Sequence, residues 1–333
     1  MKRDKASKEK LKELLDLRYK IKATSSFLPK KNLEAFFGEV EEEAFAYVTN
    51  VIENTVSVIN TGTKLVVATV NVGNAPIDIA ITPDGTFAYV INAFENTVSV
   101  INTGTKLVVA TVSVGNVPNG IAITPDGAFA YVTNIGGTVS VINTGTNQVG
   151  TTLTVGSLPW SIAITPDGAF AYVTNVGENT VSVINIGTNQ VVATVSVGVF
   201  PWSIAITPDG VFAYVTNADE NTVSVINIGT NQVVATVSVG IFPWSVAITP
   251  DGVFAYVTNA DENTVSVINI GTNQVVATVN VGNRPLSVAI TPDGAFAYVT
   301  NAFENTVSII NIGTNQVVAT VSVGNNPSGI AIL

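Results

Sequence analysis

PWSIAITPDGVFAYVTNADENTVSVINIGTNQVVATVSVG, residues 201–240, decides the fold. Four short stretches rich in Val, Ile, Thr and aromatic residues, the types that favour strands, are separated by turn residues. The first is IAIT, Ile204–Thr207. The tetrad Thr207-Pro208-Asp209-Gly210 follows. Proline pre-sets its own φ and glycine accepts a positive one, so the chain reverses in a tight turn. The second stretch is FAYVTN (Phe212–Asn217) and the third TVSVIN (Thr222–Asn227). A Gly-Thr-Asn-Gln turn then leads to VVATV, Val233–Val237. Four antiparallel strands in about 42 residues is the pattern of one β-propeller blade.

The unit repeats along the chain. The tyrosine of FAYV recurs at positions 47, 89, 131, 172, 214, 256 and 298, always 41 or 42 residues apart. Each strand type occurs seven times, but out of phase with the termini. The first IAI-type stretch starts at Ile79, after three other strands have passed, and the last is Ile330-Ala331-Ile332-Leu333. Residues 328–333 are therefore expected to supply the inner strand of a blade whose other strands come from 44–70. This overlap closes the ring and removes the exposed edges of an open array. The predicted fold is all-β: a seven-bladed propeller of four-stranded antiparallel blades over residues 39–333. A basic, partly helical extension over residues 1–38 precedes it.

The tetrapeptide YVTN stands at Tyr47–Asn50, Tyr131–Asn134, Tyr172–Asn175, Tyr214–Asn217, Tyr256–Asn259 and Tyr298–Asn301, with Tyr89-Val90-Ile91-Asn92 as a variant. In this the chain resembles the YVTN-type β-propeller repeat family, over residues 44–333. That family is similar to surface-layer and cell-surface propellers of archaea and bacteria. The resemblance implies a secreted binding role and supplies no catalytic residues. The N-terminus has no apolar core of a secretory signal, so the sequence by itself points to the cytoplasm, with the cell surface as the alternative the resemblance implies.

Composition narrows the chemistry. Apolar residues make up 47% and charged residues 11% of the 333, which suits sheets packed on both faces and excludes a disordered chain. No apolar run approaches the roughly 18 residues of a membrane helix. The chain has no Cys and no His, so disulfides and Ser-His or Cys-His nucleophile pairs are excluded. Residues 1–38 carry a net charge of +6 and residues 39–333 a net of −16. An acidic body offers no surface to nucleic acid.

A site is to be sought where the copies disagree. The TPDG and GTNQ turns hardly change, whereas the linkers between blades and the second-to-third-strand loops, which open on the other face, vary. Trp160, Trp202 and Trp244, the protein's three tryptophans, share one phase in three consecutive blades. Phe200 and Phe242 precede two of them, and facing loops add Phe94, Phe303, Glu220 and Glu262. One reading is an aromatic arc rimmed by carboxylates that holds a protein, peptide or glycan. The other is that each tryptophan fills the gap between blades. The acid pairs offer too few converging oxygens for Ca²⁺, so neither metal nor cofactor is expected. Blades 199–240 and 241–282 differ at three positions, Val199/Ile241, Ile204/Val246 and Ser238/Asn280. Catalysis calls for unlike groups in one place, and such uniformity works against it.

The arm over residues 5–22 places Leu11, Leu14, Leu15 and Tyr19 on one helical face. It is expected to dock on the acidic propeller or to self-associate. The expected function is a non-catalytic binding or scaffold propeller. The alternatives are a structural cell-surface protein without a discrete ligand and, behind it, a propeller enzyme of the lyase or quinoprotein type.

Overall fold

The computed structural model describes residues 44–333; the N-terminal arm, with its expected helix, lies outside the described residues. Twenty-eight strands form seven four-stranded sheets, each fully antiparallel. Blade 5 is typical. β16 (Pro201–Ile206) lies innermost, followed by β17 (Phe212–Asn217), β18 (Thr222–Asn227) and the outer β19 (Gln232–Ser238). β17 and β18 pair in register from Phe212↔Asn227 to Asn217↔Thr222. The ring closes as the repeat phase predicts. β28 (Pro327–Ile332) pairs antiparallel with β1 (Phe45–Asn50), with Ala46 opposite Ile332 and Val48 opposite Ile330.

Turn chemistry sets each hairpin. Thr207 Oγ1 donates to Asp209 Oδ1 at 2.5 Å, and the same carboxylate oxygen accepts from Val211 N at 3.0 Å. Gly210 adopts φ 71° and donates to Thr207 O at 2.8 Å. In the next turn Asn231 takes φ 53°, a left-handed conformation that Asn tolerates better than most residues.

The core lies between blades. A representative cluster joins Tyr172, Val181, Val183 and Val195 of blade 4 to Ile204, Ala213, Val215 and Ile226 of blade 5. Burial of each such aliphatic side chain contributes about 1.5–3 kcal/mol. The seven repeat tyrosines are buried, and several hydroxyls tie one blade to the next. Tyr172 donates to Asn231 Oδ1 at 2.9 Å and Tyr214 to Asn273 Oδ1 at 2.7 Å. Desolvation pushes these phenols up to about 12. Lys106 replaces the asparagine in blade 2 and keeps the tie by donating to Tyr47 Oη at 3.0 Å.

One strand boundary differs from the sequence reading, and the difference positions the site. The inner strands begin at the prolines, three residues before the Ile or Val of the repeat. They are β4 (Pro76–Ile81), β8 (Pro118–Ile123), β12 (Pro159–Ile164), β16, β20 (Pro243–Ile248), β24 (Pro285–Ile290) and β28. Proline lacks the N–H that an inner ladder position needs but is tolerated as a strand's first residue. Trp160, Trp202 and Trp244 are thus strand residues rather than linker residues. A register shift between Pro201 and Ile204 spans Trp202 and Ser203.

Candidate functional site

The residue before each inner-strand proline is held at positive φ. Ala75, Val117, Leu158, Phe200, Phe242, Arg284 and Asn326 lie between 46° and 61°. For Val117, a β-branched residue, this is a costly conformation. Neighbouring loops pin it in place. Phe200 N donates to Asn179 Oδ1 of the preceding blade at 3.1 Å, and Phe200 O accepts from Ala218 N of its own blade at 3.0 Å. This kink delivers the residues after the prolines to the mouth of the central channel. There, all but Leu286 of the two that follow each proline line a funnel of about 320 Å³.

One side of the funnel is aromatic. Ring centroids of Trp160 and Trp202 are 4.2 Å apart, and those of Trp202 and Trp244 are 4.7 Å apart. The three tryptophans are half-buried, pack on one another across blade boundaries and line the funnel, so they do not serve as hidden inter-blade filler. Phe200 stacks on Trp202 at 5.5 Å, and Phe242 lies 6.0 Å from Trp244. The Trp202 indole N–H is buried without an acceptor. Phe94, 75% exposed, lines the mouth. Phe303 lies outside the lining, 5.7 Å from the Arg284 guanidinium, which also covers Phe242 and Trp244 and donates to Asp261. Glu220 and Glu262 are exposed on their loops; their carboxylates lie over Gly198 and Gly240 and are not part of the lining.

The opposite side holds a residue that the sequence reading passed over. At the third position of the seven inner strands stand Asp78, Gly120, Ser161, Ser203, Ser245, Ser287 and Gly329. Asp78 is the one acid in the ring. Its Oδ1 accepts from Ile79 N at 2.9 Å, and its Oδ2 accepts from Ile121 N of blade 3 at 3.1 Å. Ser203 makes the equivalent inter-blade bond, accepting from Val246 N at 3.4 Å. Asp78 thus occupies a structural serine's place and brings a charge with it. Desolvation pushes its carboxyl up to about 7, against the two backbone N–H bonds that hold it down. Part of its surface still opens to the funnel.

Two glycines allow the tight wall around it. A Cβ on Gly329 would fall 2.7 Å from Asp78 Cα and 2.8 Å from Ile77 O, and one on Gly120 would fall 2.5 Å from Trp160 O. Asn119, beside Gly120, also contributes to the funnel lining; its Nδ2 is buried and has no partner within the protein. Among the described residues no cluster of three or more His, Cys, Asp or Glu could hold a metal, and no helix is long and apolar enough to cross a membrane.

Residues 143–239, a stretch containing blades 4 and 5, match the family model Lactonase, 7-bladed beta-propeller. The fold is similar to that of Kuenenia stuttgartiensis hydrazine synthase, with 25% identity over 80% of this chain and 91% of that one and a TM-score of 0.74. A protein of Desulfotomaculum acetoxidans is 24% identical over 86% and 98% of the two chains, with a TM-score of 0.79. A candidate 6-phosphogluconolactonase of Bacteroides fragilis is 19% identical over 89% and 99%, with a TM-score of 0.77; that likeness concerns the fold alone. No curated protein matches the sequence.

The lactonase match corrects the functional expectation. It points to an enzyme rather than to a non-catalytic binding module, scaffold or surface-layer-like protein. The expectation failed for a physical reason. It rested on the absence of His and Cys and on the uniformity of the repeats, which hid that one inner strand carries an acid where the other six carry Ser or Gly. The missed signal was alignment of the inner strands by their prolines, which isolates Asp78 at once.

Proposed function

We propose that this propeller is a hydrolase that opens lactone rings in its funnel, with Asp78 as general base. The observation that carries this reading is the placement of Asp78, the one carboxyl among the described funnel-lining residues, where desolvation pushes its pKa up to about 7. A general base works best when its pKa lies near the working pH. Ionised Asp78 takes a proton from water as the water oxygen bonds to the lactone carbonyl carbon. Negative charge develops on the carbonyl oxygen in this tetrahedral intermediate and returns to the carbonyl as the intermediate collapses. The ring C–O bond then breaks, and the leaving alkoxide regains the proton from Asp78. Lactone and water become one hydroxy acid.

The lactonase match supports the reaction class, although its stretch ends well away from Asp78 in sequence. The resemblance to the YVTN-type repeat concerns the second strand of each blade and assigns no chemistry. Hydrolysis of an aryl lactone by the wild type is expected to rise with pH through an inflection near 7. Asp78→Asn is expected to lose about 10²–10⁴-fold in kcat while remaining folded. Unchanged turnover in the folded variant sinks the assignment.

A further inference from the structure

We propose that the funnel selects uncharged lactones with an apolar or aromatic body and rejects phosphorylated ones. The inference rests on the lactone reading above and specifies its substrate class. Among the described residues that line the funnel there is no Lys or Arg, and Asp78 is the one ionisable side chain. The nearest cation described above, Arg284, is engaged by Asp261 and by the faces of Phe242, Trp244 and Phe303. A phosphate entering the funnel would lose water and gain no charged partner, which is strongly unfavourable. It would also repel ionised Asp78 and raise its pKa further, so the base would be protonated when needed. Residues 39–333 carry a net charge of −16, which slows the approach of any anion.

The tryptophan wall supplies the matching attraction. The half-buried rings of Trp160, Trp202 and Trp244 offer a contiguous apolar surface across the funnel from the acid. The indole N–H of Trp202 is buried in this wall and has no acceptor within the protein. An aryl lactone fits this combination of one acceptor-rich ring and one flat apolar body.

The test uses the full chain with two probes, dihydrocoumarin and 6-phosphoglucono-δ-lactone. It reads both hydrolysis and quenching of tryptophan fluorescence. Dihydrocoumarin is expected to quench fluorescence and to be hydrolysed with a kcat/KM at least 100-fold above that of the phosphorylated lactone. Trp202→Phe keeps a ring but removes the donor, and should raise the KM for dihydrocoumarin about fivefold with little change in kcat. Trp244→Leu, a second variant, should weaken the quenching interaction if Trp202→Phe misfolds. Equal or better turnover of the phosphorylated lactone overturns the selectivity and leaves Asp78 as base. Quenching by dihydrocoumarin with no hydrolysis of either probe overturns the lactonase reading and leaves the selectivity. Neither quenching nor hydrolysis overturns both.

Discussion

Asp78 lies within strand β4 and Asp84 in the turn that follows it, and the fold gives them opposite characters. Asp84 sits in the TPDG turn, exposed, accepting from the Thr82 hydroxyl at 2.6 Å and from the backbone and hydroxyl of Thr86. Those bonds lower its pKa to about 2. Asp78 sits in the funnel, where desolvation raises its pKa to about 7. The turn carboxylate recurs in six blades because a hairpin needs it; the funnel carboxylate occurs once. Within a repeat protein, a residue type that every copy carries reports folding, and one that a single copy carries is where chemistry can begin.

The two acids should also act oppositely on stability. Below about pH 4 Asp78 is protonated whether the chain is folded or not. From about pH 4 to 7 the unfolded chain ionises it while the native protein does not, so stability falls across that window. Asp84 contributes stability above pH 4 that is lost as pH drops toward 2. Asp78→Ser, which copies Ser203, should therefore stabilise the protein at pH 8 by up to roughly 4 kcal/mol and abolish the fall between pH 4 and 7. Urea unfolding at several pH values measures both. A pH slope that survives the substitution breaks the contrast between the two sites.

The next effect concerns how the funnel wall is built. Gly329→Ala places a methyl group 2.7 Å from Asp78 Cα, a backbone atom that cannot turn aside. It should destabilise by about 1–3 kcal/mol, the usual range for overpacking. Gly150→Ala, on an outer strand with nothing within 4 Å, should be close to neutral. Equal thermal shifts in the two variants would contradict the close approach of blades 1 and 2. The smallest effect is at the rim. Val117 is held at φ 46°, where Asn326 stands in another blade. Val117→Asn should stabilise by about 0.5–1 kcal/mol, and a lowered melting temperature would count against backbone strain there.

Most of the architecture was legible in the sequence because a blade is a local unit. Turn tetrads, strand composition and the phase of the tyrosines each point to the same hairpins. Even the seam between residues 328–333 and β1 follows from counting strands. The aromatic half of the candidate site was legible too, since three tryptophans at one phase stand out in a chain that has no others. Asp78 was not. With the first strand read as starting at Ile79, residue 78 falls in a linker, among the many acids of the loops and turns. Its desolvation depends on Ile121 and Gly329, which reach it only when separate blades stand side by side. The linker prolines, read as strand openers, would have moved Asp78 into the ring.

The seam has a further consequence for when this protein can work. Gly329 belongs to β28, the final strand of the ring, and it forms the wall against Asp78. The wall against Asp78 thus forms when β28 pairs with β1, so the acid acquires its surroundings only as the circle closes. A chain cut short within β28 would keep most of its blades while losing that wall.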